Sequence, residues 1–180
     1  MQALSRRSKI RLLAIAACVF VIGMTVGVEA REAGISGQSQ IGCTCHGASS
    51  LSVVVTITGI PASYMQATIY PLTVSVSGGP ATPNGGFDLS VTAGTLTTSD
   101  PNAQILNGEA THRSNAVRTW AVTWMAPPTS AGVVNFYVAG NAVNGDVTTS
   151  GDMWNTAVYT TIPFSPDQPP TISLTAPDGT

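Results

Sequence analysis

The residues best equipped for chemistry lie near the start of the chain, in Gly42-Cys43-Thr44-Cys45-His46-Gly47. Two thiols closed by an adjacent imidazole match the pattern of covalent haem attachment, normally Cys-x-x-Cys-His. In that chemistry two sulfurs add to the haem vinyl groups, and the histidine gives an axial nitrogen to iron. Here the spacer between the cysteines is one residue shorter. The expected assignment is Cys45 as thioether tether, Cys43 as a possible second tether and His46 as axial ligand. His112, in Ala110-Thr-His-Arg113, is the one remaining histidine and the natural sixth ligand. Met65, Met125 and Met153 are fallback thioethers. Other chemistries fit the same residues. Cys43, Cys45, His46 and His112 form a Cys2His2 set of the kind that holds zinc or copper. A Cys-x-Cys pair in an oxidising compartment also closes into a small, strained disulfide, or stays free without any cofactor. Taken alone, His112 beside Thr111 also reads as a hydrogen-bonded structural histidine.

These side chains need a frame, and the sequence predicts one built of strands. Leu51–Thr58, Tyr70–Ser77, Phe87–Ala93, Arg118–Met125, Val133–Ala139 and Thr156–Ile162 alternate in polarity or run β-branched. Gly78-Gly79-Pro80, Pro83-Asn84-Gly85-Gly86, Asp100-Pro101, Pro127-Pro128 and Asn144-Gly145-Asp146 separate them. Strands at this spacing, with no helical periodicity, predict an all-β, immunoglobulin-like antiparallel sandwich. Trp120, Val122 and Trp124 share one face by the period of two and are expected in its core, rather than forming a carbohydrate platform. Asp146 and Asp152 flank a Gly/Thr/Ser loop. They read as turn-forming residues, with calcium as the lesser alternative.

The ends of the chain address it. Arg6 to Arg11 is a basic stretch, Leu12 to Val28 an apolar run, and Val28-Glu29-Ala30 a signal-peptidase site, which predicts a signal helix over residues 1–30. If uncleaved, this segment is the membrane contact; Ile15-Ala16-Ala17-Cys18 is a poorly placed lipobox. Residues 31–50 then form an N-terminal loop carrying the cysteine motif, and 51–163 the sandwich. Residues 164–180 make a Pro-rich linker with the possible start, Thr171–Pro177, of a further Ig-like domain. Composition narrows the function. Of 180 residues only 9% are charged, and from Arg31 onward three basic residues face eight acids, with no lysine. Nucleic-acid binding needs several cations on phosphates, so that partner class is excluded. No nucleophile elbow, phosphate loop or usefully spaced carboxylate pair supports an enzyme.

The order of several pieces resembles the choice-of-anchor V domains of exported bacterial and archaeal proteins, which are similar to the Reeler domain. The pieces run from Gly42 to about Pro163. They include Cys43-Thr-Cys-His-Gly47, Tyr70-Pro-Leu-Thr-Val-Ser-Val76, Gly86-Phe-Asp-Leu-Ser-Val91, Ala110-Thr-His112, Trp120–Pro127, Gly132–Gly145 and Thr149–Asp152. The resemblance implies a Reeler-like β-sandwich at the cell surface, a c-type haem on Cys43, Cys45 and His46, and His112 at the family's recurrent Thr-His. The expectation is therefore an exported cell-envelope or extracellular sandwich. It would carry haem c for electron transfer with redox partner proteins, His46 and His112 being the axial ligands. The alternative is a non-catalytic surface or adhesion module without cofactor, contacting other cell-surface components.

Overall fold

The computed structural model describes residues 31–165 apart from position 147. The expected signal helix, the linker beyond Ser165 and the strand-like Thr171–Pro177 lie outside the described residues. Among the described residues ten strands form, in chain order β1 (Val53–Thr58), β2 (Ser63–Tyr64), β3 (Ile69–Gly78), β4 (Gly85–Val91), β5 (Thr95–Thr97), β6 (Ala103–Leu106), β7 (Glu109–His112), β8 (Thr119–Met125), β9 (Val134–Ala142) and β10 (Met153–Pro163). They make a four-stranded sheet ordered β1-β3-β8-β5 and a six-stranded sheet ordered β2-β10-β9-β4-β7-β6. The fold is thus all-β, a two-sheet sandwich. Its pairs are antiparallel except β2 with β10, which run parallel through Ser63–Ile162 and Tyr64–Pro163.

Period-two burial builds the core. Val53, Val55 and Ile57 of β1, Leu72, Val74 and Val76 of β3, and Trp120, Val122 and Trp124 of β8 all point inward from the smaller sheet. Phe87 and Leu89 of β4 and Val134, Phe136 and Val138 of β9 meet them from the larger. The two tryptophans are fully buried, as their spacing predicts. Trp124 lies edge-on to Phe136 at 5.0 Å between ring centroids, and Trp120 sits 4.6 Å from Phe87. Aromatic pairs at such separations add a fraction of a kcal/mol to about 1.5 kcal/mol beyond area burial.

The six predicted strands coincide with β1, β3, β4, β8, β9 and β10. The four additional strands are short. β6 and β7 form a hairpin closed by Asn107-Gly108, both at positive φ, with Leu106 paired to Glu109. An Asn-Gly pair in a two-residue turn is a strong hairpin signal. The flanking Ala103–Leu106 and Glu109–His112 are too short to show a period of their own.

Because Phe87 and Leu89 face the core, Asp88 and Ser90 face the opposite side of the larger sheet. That outer side is where the N-terminal segment lies, and it is the stage for the candidate site.

Candidate functional site

Residues 31–47 cross the outer face of the six-stranded sheet as a strap with almost no regular structure of its own. The strap is held by side chains of β4, β7 and β10. Consecutive amides of Gly37, Gln38 and Ser39 donate to carboxylates: Gly37 to Glu109, Gln38 and Ser39 both to Asp88 Oδ2 at 2.6 and 3.0 Å. The Ser39 and Ser90 hydroxyls bond at 2.7 Å, and the Ile35 amide donates to Thr111 Oγ1 at 3.3 Å. A run of backbone N–H groups aimed at one side is a natural anion cradle. Here the anions belong to the protein.

Asp88 is only 1% exposed and its Oδ1 receives no N–H or O–H. It lies in hydrogen-bonding contact with Glu109. Burial, opposed by the Gln38 amide and reinforced by the Glu109 charge, pushes the Asp88 carboxyl up to about 7.

The cysteine motif ends the strap. Thr44–His46 is a single 3-10 turn, closed by the His46 amide donating to the Cys43 carbonyl at 2.8 Å. Two features pin this turn to β10. Gly42 lies against the Trp154 ring at φ +83°, and any Cβ there would overlap the indole. The Trp154 Nε1–H donates to the Gly47 carbonyl at 2.9 Å. His46 adds a third link, its Nδ1 lying 2.8 Å from Asp152 Oδ2. The other Asp152 oxygen accepts the Asn144 amide at 2.8 Å.

The two thiols are unlike. Both are free; Cys45 is exposed, whereas Cys43 is partly covered. Burial first, then the negative charge of Asp88 and the neighbouring Cys45, push the Cys43 thiol up to about 12. It stays protonated and is a poor nucleophile.

His112 is placed elsewhere and already employed. The β4–β7 ladder pairs Asp88 with Thr111 and Leu89 with Ala110, then stops. The His112 ring takes the next rung. Phe87 N–H donates to Nδ1 at 3.2 Å, and Nε2–H donates to the Arg31 carbonyl at 2.9 Å. Thr111 Oγ1 satisfies the Phe87 carbonyl at 2.7 Å. The ring is 7% exposed and lies over Gly86, where a Cβ would stand 2.9 Å from Cε1. Glycine at 86 is what admits the imidazole.

These positions test the expected ligand set. Both His112 nitrogens are committed to main-chain groups, so His112 does not offer one to iron. Among the described residues no three His, Cys, Asp or Glu side chains gather to hold a metal ion, so Cys43, Cys45, His46 and His112 do not form the tetrahedral set. A haem held between His46 and His112 therefore does not fit this arrangement. The pair Cys45 and His46 retains an exposed sulfur and an Nε2 free of hydrogen bonds to the protein.

The sequence reading missed Asp88, Trp154 and Arg118. Arg118 donates to the carbonyls of Gly78, Pro80 and Asn84 at 2.7 Å each and so closes the loop between β3 and β4. Burial lowers its pKa. An isolated Asp, Trp or Arg in a strand carries no spacing signal that marks it as a fastener. Asp146 accepts from the amide and hydroxyl of Thr148, the turn-forming role expected of it. Those bonds hold its carboxyl below the ordinary value.

Comparison with solved structures finds Reeler domains. The human F-spondin Reeler domain aligns over 63% of this chain and 91% of its own length, at 20% identity and TM-score 0.45. The Reelin-N domain of F-spondin aligns over 75% and 95%, at 19% identity and TM-score 0.47. A second fragment of the human Reeler domain aligns over 68% and 99%, also at 19% and 0.47. No protein-family model and no curated protein matches the chain.

Proposed function

We propose that the chain is an exported, non-catalytic β-sandwich module that serves as a spacer or adhesion unit at the cell surface. One observation carries this reading: both histidines are engaged in fastening the strap. His112 bonds to Phe87 and Arg31, and His46 leans on Asp152. The leader pattern of residues 1–30 supplies the export. The low charge and the Pro-rich composition after Pro163 suit one unit in a series, in contact with other surface components rather than with nucleic acid.

The test is maturation in an exporting host together with a cytochrome c assembly system. The expected product has the mass of the unmodified chain beginning at Arg31 and no absorbance at the haem Soret band. A haem adduct on the purified protein overturns the reading.

One observation favours a second reading, an electron carrier with a single-tether haem c. The Asp152 carboxylate holds His46 through Nδ1, the support that orients an axial histidine and leaves Nε2 for a metal. Haem bound there would supply one-electron chemistry. Cys45 would tether it, His46 would ligate it, and Asp152 would fix the imidazole orientation. The same Soret measurement, repeated on Cys45→Ser, decides between the two.

A further inference from the structure

The strap lies on the larger sheet; the outer face of the four-stranded sheet takes no part in holding it, and its composition is unusual. None of the residues of β1, β3, β5 and β8 is Asp, Glu, Lys, Arg or His. Val55, Ile57, Val74, Leu96 and Val122 point into the core, so their neighbours point outward by the period of two. Hydroxyl residues dominate those outward positions: Thr56-Ile-Thr58 in β1, Thr73-Val-Ser-Val-Ser77 in β3 and Thr95-Leu-Thr97 in β5. Pairing aligns them in rows across the strands. Thr56 stands opposite Ser75, and Ser75 opposite Thr119. Thr58 stands opposite Thr73, and Thr97 opposite Thr123. Residues of one row stand about 4.7–4.9 Å apart, and successive rows about 6.4–6.8 Å apart. Ser75 and Thr119 bond to each other at 3.3 Å and Ser77 to the Val54 carbonyl at 3.5 Å, whereas the hydroxyls of Thr56, Thr58, Thr73, Thr97 and Thr123 have no partner among the described residues. The carboxylate beside this face, Asp100, is taken by the Ala121 and Asn102 amides.

The charge of the face selects its partner. A hydroxyl both donates and accepts, whereas a carboxylate only accepts and an ammonium only donates. A neutral array of hydroxyls complements a neutral array that also donates and accepts at every site. Nucleic acids and anionic membranes require cations, and these four strands have none. A sugar ring seeks an aromatic platform, but Trp120 and Trp124 are buried and Tyr70 is stacked on Trp124 with ring centroids 5.5 Å apart. A second copy of the chain would need a continuous apolar patch. Here exposed Val54 lies at one end of the face and Ile69 with Met125 at the other, with the hydroxyl rows between them. Ice meets every condition: its surface is uncharged, its oxygens donate and accept, and its prism plane repeats at two spacings near those of the rows. Threonine suits such a partner because its β-branched side chain is stiff at χ1, so little freedom is lost on binding. We propose that the outer face of the four-stranded sheet is an ice-binding surface, its hydroxyl rows bonding the outermost water molecules of the crystal. The twist of the sheet confines the match to neighbouring rows, so the effect falls on crystal growth and grain coarsening. This inference goes beyond the module reading and does not rest on it: a haem adduct overturns that reading and leaves this one standing.

The experiment uses the full chain, exported and purified, in dilute neutral buffer from which polycrystalline ice is grown slowly on a cold surface. Slow growth excludes ordinary solutes, so the readout is protein concentration in the melted ice against that in the remaining liquid. The chain is expected to be more concentrated in the ice, and to slow the coarsening of ice grains held just below melting. Thr58→Lys and Thr119→Lys place an ammonium in the rows at exposed positions and are expected to lose both effects. Thr160→Lys, at an exposed position of β10 in the other sheet, is expected to keep both. Urea midpoints equal to that of the natural protein establish that each variant is folded. The proposal is overturned if the chain stays in the liquid, if folded Thr58→Lys and Thr119→Lys still enter the ice, or if Thr160→Lys loses as much as they do. Retention on insoluble cellulose or chitin together with exclusion from ice also overturns it, and assigns the face to a neutral polysaccharide.

Discussion

Asp88 is the residue whose chemistry most directly sets stability. Its carboxyl is buried, touches Glu109 and accepts two strap amides. With a folded pKa of about 7 against an ordinary value of 3.8, it binds more protons folded than unfolded between those limits. Its contribution is fully present below about pH 4 and is lost as pH rises through about 7. Stability should therefore fall across that window, as read by urea midpoints at stepped pH. Asp88→Asn imitates the protonated acid: its carbonyl still accepts the Gln38 and Ser39 amides. The variant should match the natural protein near pH 4, exceed it above pH 7, and show a flatter midpoint profile. An equal slope in both proteins would show that Asp88 is not the group that titrates across this window. His112 makes a second residue-scale case. His112→Ala strips partners from the Phe87 amide and the Arg31 carbonyl, and an orphaned buried polar group costs about 1–3 kcal/mol. The expected loss in unfolding free energy is in that range, with no effect on any cofactor. Gly86→Ala should cost a similar amount by overpacking the imidazole, about 1–3 kcal/mol.

At the scale of elements the strap is the unusual one. It has no ladder of its own, yet its amides at 37, 38 and 39 are bonded to buried or half-buried carboxylates. Hydrogen exchange should accordingly protect Gln38 and Ser39 far more than the tip residues of the Asn107-Gly108 turn. Trp154→Ala should erase that protection over residues 42–47 first while leaving β3 and β8 protected, because the indole holds only that end of the strap. Exchange that stays slow at 42–47 in the variant would locate the anchor elsewhere. The long strands were legible in the sequence because alternation over six or more residues is a property of the segment itself, as in Thr119-Trp-Ala-Val-Thr-Trp-Met125. The strap was not, because its structure comes from carboxylates some fifty to seventy positions away in the chain. The short β5, β6 and β7 fall between: Asn107-Gly108 announces the hairpin, but three or four residues per strand give no period. The candidate site shows the same division. Residue types and spacing single out Cys43, Cys45, His46 and His112, but only the ladder end at Phe87 reveals that His112 is already occupied. A smaller protection appears at the sheet edge. Asn155 Nδ2 and Tyr159 Oη of β10 donate to the Val53 and Val55 carbonyls of β1, at 2.9 and 3.2 Å. Carbonyls filled from across the sandwich leave fewer groups for another chain to pair with.

Across the whole molecule one habit recurs in how charge is used. Acids bond to main-chain amides rather than to cations. Asp88 and Glu109 take strap amides, Asp100 takes those of Asn102 and Ala121, Asp146 that of Thr148, and Asp152 that of Asn144. The one ion pair among the described residues, His46 with Asp152, depends on a protonated imidazole. Arg118 is equally absorbed by carbonyls. Such bonds hold loops by direct short-range contact, which dissolved salt screens far less than it screens separated surface charges. The chain therefore has little electrostatic stability for salt to remove. Its stability should respond weakly to sodium chloride. Between about 0.01 and 1 M the screening length falls from about 30 to 3 Å. Over that range the thermal midpoint at pH 8 should move by less than about 2 °C, a few tenths of a kcal/mol for a domain of this size. A large salt response at pH 8 would mean that long-range charge, and not the amide–carboxylate bonds, holds the loops of this sandwich in place.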